Sequence, residues 1–196
     1  MSMSNSRDSI LNAIRQNKPE KVQLPEIPDF SQATDRLAAF KQITEAGGSN
    51  IVESSDASTV YIKIAQAYPD AKVISSTLPH IMEGNFRWTA ETTPKDLKDI
   101  DLAIIQGELG VAENGAIWVS EAQLPQRVLP FITQHLIIVL QKDQIVENMH
   151  QAYQQIDITA TGFGVFIAGP SKTADIEQSL VKGAQGARSL LVVLVG

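Results

Sequence analysis

Two glycine-rich loops carry the side chains with the clearest potential for chemistry. The first spans residues 107–115 and reads Gly-Glu-Leu-Gly-Val-Ala-Glu-Asn-Gly. Gly110 and Gly115 allow backbone N–H groups to approach a ligand closely. Glu113 offers a carboxylate base or nucleophile, and Asn114 offers an amide hydrogen-bond donor. The alternative is a hairpin turn in which the Asn-Gly pair only supplies positive φ.

The second loop covers residues 169–177 and leads from an apolar run into a segment with helical periodicity. Exposed N–H groups at a helix start, with hydroxyl and ammonium groups beside them, form an anion site. Alternatively, the hydroxyls cap the helix and the acids complement its dipole. The candidate anion-binding residues of this loop are Gly169, Ser171, Lys172, Thr173, Asp175 and Glu177.

Four further residues attract interest by type. Arg127 has the planar fork that binds a substrate carboxylate in a bidentate manner, although an ordinary surface arginine is the competing interpretation. His80, His135 and His150 lie far apart and lack metal-ligand spacing, so we expect satisfied or solvated imidazoles and no metal site.

The elements that must position these loops alternate between short apolar runs and amphipathic segments, which is typical of an α/β fold. Because several runs are apolar on both faces, the pattern predicts a mostly parallel sheet with helices on both faces. Strands are predicted at residues 50–53, 72–75, 102–105, 116–119, 136–140, 165–167 and 190–195. Helices are predicted at 6–16, from 31 to Gly47, through 60–67, through 145–153 and from about 173 to 185.

The chain is interpreted as two parts. Residues 1–30 combine a short helix with a linker that contains Pro19, Pro25 and Pro28, and prolines prevent this stretch from continuing the helix. Residues 31–196 have the length and pattern of one domain with its own core.

Composition excludes several classes of function. The chain has 196 residues and no cysteine, so it offers no thiolate for a disulfide or an iron–sulfur cluster. Its formal net charge of −6 argues against a nucleic-acid surface, which needs clustered lysine and arginine. The longest apolar run is far shorter than the roughly 20 residues of a membrane span, and the N-terminus is polar, so we expect a cytoplasmic protein.

Two motifs resemble the lactate utilization protein C (LutC/YkgG) family. Residues 168–177, followed by the run 186–195, look like the C-terminal signature of that family. Residues 110–115 are similar to its Gly-x-Ala-Glu-Thr-Gly element, which is followed by an arginine and a Leu-Pro pair, here Arg127 and Leu129-Pro130.

The resemblance implies a LUD domain with a NagB/RpiA/CoA-transferase-like fold. It also implies a subunit that takes part in oxidizing L-lactate to pyruvate with two partner proteins, one rich in cysteine and one containing iron–sulfur clusters. The clusters are expected on the partners, no cofactor is expected on this chain, and the expected substrate is a small carboxylate.

Two other functions remain open. The sequence Ala112-Glu113-Asn114-Gly115 is similar to the Ser-Glu-Asn-Gly element that carries the nucleophilic glutamate of class I CoA-transferases, which implies acyl transfer through Glu113. A module that senses a small carboxylate or sugar phosphate through the same loops is the other alternative.

Overall fold

The computed structural model describes residues 6–31, 35–54, 56–159, 162–174 and 180–196. The chain forms two compact units, Met1–Phe30 and Ser31–Gly196. The first unit contains helix α1 (Ser6–Gln16), and its described residues from 18 onward have no regular secondary structure. None of the helices within the described ranges is both long and apolar enough to cross a membrane.

The second unit contains the remaining elements. Its α-helices are α2 (Arg36–Ala46), α3 (Ala57–Ala67), α4 (Leu129–Ile132) and α5 (Met149–Gln155). Its strands are β1 (Asn50–Glu53), β2 (Ile74–Ser76), β3 (Leu102–Gln106), β4 (Leu109–Val111), β5 (Ala116–Ser120), β6 (His135–Gln141), β7 (Ile145–Val146), β8 (Gly164–Ile167), β9 (Lys172–Ala174), β10 (Leu180–Lys182) and β11 (Ser189–Val195). Short 3₁₀ turns lie at Pro94–Asp99, Glu121–Gln123 and Lys142–Gln144.

A five-stranded parallel sheet is the centre of this unit. Its strand order is β1-β11-β6-β3-β2, and all four neighbouring pairs are parallel. The C-terminal strand β11 therefore lies inside the sheet, where it pairs with β6 over seven residues from Ser189↔His135 to Val195↔Gln141. The apolar runs of β6 and β11 are buried on both faces, as expected for central parallel strands.

The two faces of the central sheet are covered differently. Val60 and Ile64 of α3 pack on the face formed by Leu102, Ile137 and neighbouring residues. Phe40 of α2 packs on the other face, together with residues of β5. Strand β5 belongs to a second sheet with the order β7-β4-β5-β8, whose outer face is covered by α5.

Most sequence-based predictions of secondary structure are confirmed, including the α/β class and the mostly parallel sheet. The contribution of a second sheet to one face was not predicted. Strand β7 occupies the start of the helix predicted through residues 145–153, and the helical part begins only at Met149. Strand β4 lies inside what was interpreted as a loop.

The helix predicted from about residue 173 to 185 is wrong at the described residues of that range, 173–174 and 180–185. Strands β9 and β10 pair antiparallel there, with Thr173 opposite Val181, and residues 175–179 lie outside the described residues. The β-branched residues at these two positions favour an extended backbone, and Gly183 has a φ of +83° that ends the second strand. The prediction relied on apolar spacing, which does not separate the two structures over so short a stretch.

Gly164 gives a sharp test of the second sheet. A Cβ atom at this position would lie 2.1 Å from Cζ2 of Trp118, whose side chain is buried and packs against Phe166. We expect Gly164→Ala to lower the free energy of unfolding by about 2–3 kcal/mol through overpacking. Urea denaturation measures the change.

Gly186→Ala is the matched control, because a Cβ there would lie 3.3 Å from Cβ of Ser171, a much smaller overlap than at Gly164. The backbone at Gly186 also does not have positive φ. Adding Trp118→Phe to Gly164→Ala should recover part of the loss. An unchanged stability of Gly164→Ala would contradict the packing described for β5 and β8.

Candidate functional site

The loop between β4 and β5 is a tight hairpin turn formed by residues 112–115. Gly115 has a φ of +67° and its N–H donates to the carbonyl of Val111 at 2.9 Å. Oδ1 of Asn114 accepts from the N–H of Ala116 at 3.0 Å. The Asn-Gly pair therefore forms a hairpin turn with positive φ at Gly115, which was the alternative interpretation of the sequence.

Glu113 lies at the exposed tip of this turn and contacts helix α5. Its Oε2 accepts from the N–H of Met149, the first residue of α5, at 3.0 Å, and its own N–H donates to the carbonyl of Glu147. Asn148 caps the same helix through the N–H of Gln151. Oε1 of Glu113 accepts no hydrogen bond from a described residue, so one carboxylate oxygen is still available to a ligand. A catalytic role for Glu113 stays a prediction.

Gly110 is placed in the core and not at a ligand surface. A Cβ on this residue would lie 2.7 Å from Leu140 and within 3.3 Å of Phe40 and Ile145. The residue is glycine because β4 passes close to the central sheet. Gly110 is buried, so a ligand cannot reach it in this arrangement.

The second predicted loop is held against the end of α2. Gly169 has a φ of +87°, and a Cβ there would lie 2.9 Å from the carbonyl oxygen of Gly47. The ammonium group of Lys172 donates to that same carbonyl oxygen. Both residues therefore take part in fixing the connection between α2 and β1.

Ser171 organises the turn that follows β10. Its N–H donates to the carbonyl of Ala187 at 2.8 Å, its carbonyl accepts from Gly183, and its Oγ accepts from the N–H of Gln185. Oγ1 of Thr173 donates to the carbonyl of Val181 at 3.2 Å across the hairpin. Because no helix begins at these residues, the anion site at a helix start is not present. Asp175 and Glu177 lie outside the described residues.

The two predicted loops meet the same neighbour, the C-terminal turn of α2. A Cβ on Gly115 would lie 2.8 Å from Oγ1 of Thr44, and Gly169 faces Gly47. Oγ1 of Thr44 and Oγ of Ser49 are buried hydroxyl oxygens at this junction, and neither has a hydrogen-bond partner among the described residues.

Arg127 is engaged within the protein. Its Nε and Nη2 both donate to Oε2 of Glu121, at 2.8 and 2.7 Å, and its guanidinium lies 5.5 Å from the ring centroid of Phe163. The hydrogen bond from Arg127 lowers the pKa of Glu121, and the N–H of Gly162 contributes in the same direction. Although Arg127 lines a cavity of about 340 Å³, binding of a substrate carboxylate would have to displace Glu121.

A cluster of opposite charges that the sequence analysis missed lies at the carboxyl edge of the central sheet. Glu53 ends β1, and Lys142 follows β6 on the far side of β11. Glu53 accepts from Lys41 through Oε1 and from Lys142 through Oε2 at 3.3 Å, and Lys63 donates to its backbone carbonyl at 3.2 Å. We call these three lysines and Glu53 the lysine cluster.

The lysine cluster has an excess of positive charge. Hydrogen bonds from Lys41 and then from Lys142 lower the pKa of Glu53, and the hydrogen bond to Glu53 raises the pKa of Lys41. Within the cluster three ammonium groups face one carboxylate, at the edge where open parallel α/β sheets bind ligands, and Glu45 and Asp35 add more distant negative charge near Lys41. The arrangement suits an anion, and it contains no evident nucleophile.

Two charged residues next to apolar strands were the available signal in the sequence. Glu53 and Lys142 each sit at the C-terminal end of a predicted strand, where parallel strands bring side chains to one edge. Lys41 gave no such signal, because its position depends on how α2 packs. Among the residues that the structure describes, no group of three His, Asp or Glu side chains has a metal-binding arrangement.

Comparison with known proteins assigns the chain to a family. The family model described as the LUD domain matches residues 27–195, which is most of the sequence. The chain belongs to the LUD domain family. A crystal structure of a DUF162 family protein from Deinococcus radiodurans has a similar fold, with a TM-score of 0.58 over 82% of this chain and 96% of that one, at 19% identity.

Several relatives of this LUD domain bear the name lactate utilization protein C. The protein from Bacillus pumilus is 29% identical over 118 residues, an alignment that covers 55% of this chain and 49% of that one. The protein from Geobacillus thermodenitrificans is 23% identical over 201 residues, which covers 97% of this chain and 80% of that one. In the Bacillus alignment the chain thus spans about half the length of its relative.

The contact between Glu113 and Met149 predicts how two substitutions differ. Glu113→Ala removes the acceptor for the first N–H of α5 and should lower the free energy of unfolding by about 1 kcal/mol. Glu113→Gln keeps an acceptor oxygen and should lose much less. Urea denaturation of both variants measures this difference, and equal losses would contradict the capping role.

The lysine cluster predicts a pH-dependent contribution to stability. The pKa of Glu53 is lower in the folded chain, so its contribution is present above the ordinary carboxyl pKa and is lost as the pH falls through the folded value. Glu53→Gln should therefore reduce the free energy of unfolding at pH 7, by at most about 1 kcal/mol for so exposed a cluster. The difference from the parent should shrink below about pH 4.

Asp99→Asn is the matched control, because the Asp99–Lys98 ion pair is more exposed and joins adjacent residues. It should change stability little at any pH. Equal stability of Glu53→Gln and the parent at pH 7 in low salt would show that the lysine cluster does not stabilise the fold.

Proposed function

We propose that this chain is a subunit of a lactate utilization system that oxidizes L-lactate to pyruvate. The observation that carries the proposal is the LUD domain match over residues 27–195, joined to relatives named lactate utilization protein C. Lactate and pyruvate are small monoanions, and the lysine cluster offers an anion-binding edge in a sheet of the appropriate class.

The proposed reaction needs an electron acceptor on another subunit. Converting lactate to pyruvate releases two electrons and two protons from the hydroxyl-bearing carbon and its hydroxyl group. The sequence contains no cysteine to hold an iron–sulfur cluster, so we propose that the electrons pass to separate iron–sulfur and cysteine-rich partner subunits. No cofactor is assigned to this chain.

Within this proposal the lysine cluster binds the anionic group. Lys142 and Lys63 are the two cations to consider, because Lys63 contacts Glu53 only through the backbone carbonyl and Lys142 makes the longer of the two carboxylate contacts. Glu113, with one carboxylate oxygen left open, is proposed to orient a hydroxyl group or accept a proton. The acyl-transfer alternative rests on its sequence motif, since the described contacts of Glu113 are those of a helix cap.

Genetic replacement tests the proposal in the source organism. Deleting the gene should abolish growth on L-lactate, and the intact chain should restore it. We expect Lys142→Gln and Glu113→Gln each to lower lactate-dependent dye reduction in extracts at least about tenfold, because each removes a proposed contact to substrate. Lys98→Gln, which alters an exposed lysine far from the cluster in sequence, should behave as the parent.

Capture of the tagged chain from the same extracts identifies its partners. Recovery of iron–sulfur proteins by mass spectrometry after a moderate salt wash is the expected result. Normal growth of the deletion strain on L-lactate would refute the lactate proposal. If growth is lost but acyl-CoA and borohydride modify Glu113, the CoA-transfer alternative replaces the proposed role of that residue.

A further inference from the structure

A polar cavity of about 480 Å³ opens at the amino-terminal edge of the central sheet, at the opposite ends of the strands from the lysine cluster. Strands β1, β6 and β11 begin there, and the volume is in the range of small-molecule sites. The lining residues used below are Tyr68, Asp70, Asp101, His135, Arg188 and Ser189.

A chain of three polar side chains forms one wall of this cavity. Oγ of Ser189 lies 2.8 Å from Nδ1 of His135 and 3.1 Å from the hydroxyl of Tyr68. The ring of Tyr68 also packs on the imidazole, with 4.8 Å between centroids. Ser189 and His135 are direct partners in the β6–β11 register, so the sheet itself holds this pair together.

The imidazole is placed to donate a hydrogen bond. Burial, and then the charge of Arg188, lower the pKa of His135, while Asp101 acts weakly in the other direction. We assign the tautomer in which Ser189 donates to Nδ1, so that the neutral ring carries its proton on Nε2. No described residue accepts a hydrogen bond from Nε2, so this N–H is available to a ligand in the cavity.

Among the described residues, the lining of this cavity includes one cation without a hydrogen-bond or ion-pair partner for its guanidinium. The guanidinium of Arg188 forms no hydrogen bond or ion pair with any described residue, and the residue is exposed. Asp101, in contrast, accepts from the N–H groups of Lys72 and Val73 at 2.8 and 2.9 Å. Asp70 and Asp101 repel an anion in proportion to its charge, which favours a monoanion over a dianion.

We propose that this cavity binds a small monoanionic carboxylate whose carboxylate pairs with Arg188 and whose neighbouring oxygen accepts a hydrogen bond from His135. A planar guanidinium matches a carboxylate in bidentate geometry. The oxygen on the adjacent carbon, as a hydroxyl or a carbonyl, is the acceptor for the imidazole N–H. This inference rests on the proposed function for its ligand class, because lactate and pyruvate are such carboxylates, and it places a second site at the other edge of the sheet.

Titration of the labelled full chain, followed by amide chemical shifts, tests the site. Pyruvate, acetate and inorganic phosphate are the probes, used at about pH 8, because acetate lacks an oxygen on the carbon next to its carboxylate and phosphate is mostly a dianion at that pH. We expect pyruvate to shift the amides around His135 and Ser189 and to bind at least about tenfold more tightly than acetate. Tighter binding of phosphate than of pyruvate would overturn the preference for a monoanion.

Three variants separate this site from the lysine cluster. Arg188→Gln should weaken pyruvate binding at least about tenfold, and Lys142→Gln should leave these shifts unchanged. His135→Phe keeps a ring against Tyr68 and should abolish the preference for pyruvate over acetate. Thermal unfolding and the amide spectra check that each variant is folded.

The proposal would be overturned if pyruvate changed amide chemical shifts only around Lys142. It would also be overturned if the changes around Ser189 persisted in folded Arg188→Gln. This experiment measures binding to the isolated chain. A negative result would therefore refute this second site without changing the outcome of the growth and capture experiments.

Discussion

The pairing of β11 with β6 is the constraint on which the rest of the structure depends. The last strand of the chain enters the middle of the parallel sheet, and its seven-residue register with β6 leaves both strands buried on both faces. A slip of one residue would turn every side chain to the opposite face. The same register places Ser189 beside His135 at one edge, and it aligns Glu53 and Lys142 on either side of β11 at the other.

The two edges of the sheet therefore have different chemistry. The carboxyl edge gathers three ammonium groups around Glu53, and the amino edge combines Arg188 with two acids and a neutral imidazole. A strand of seven residues separates them by roughly 20 Å at about 3.3 Å per residue. Substitutions at such a distance act independently unless a shared element has two arrangements. Each edge is thus a separate candidate for binding.

The parts of the fold that were predictable are those fixed by local pattern. Long apolar runs such as residues 136–140 identify buried strands by themselves, and the Asn-Gly pair identifies the turn at Gly115. The hairpin at β9 and β10 was missed because its apolar spacing fits a helix equally well. The contacts of His135 were beyond sequence analysis for a different reason. Its partner Ser189 is 54 residues away, and Tyr68 is 121 residues from Ser189, so only the sheet topology brings them together.

The residues of the motifs that indicate the family make structural contacts within this chain. Glu113 caps α5, Asn114 and Gly115 form the hairpin turn, Ser171 fixes the turn after β10, and Arg127 pairs with Glu121. Polar groups that satisfy one another inside a protein have little free energy left to give to a ligand. Groups with unused hydrogen-bonding capacity bind ligands more readily, and in the described chain these include Oε1 of Glu113, Arg188 and the Nε2 of His135. A family motif therefore identifies the fold of a LUD domain more securely than it identifies the side chains that meet a substrate.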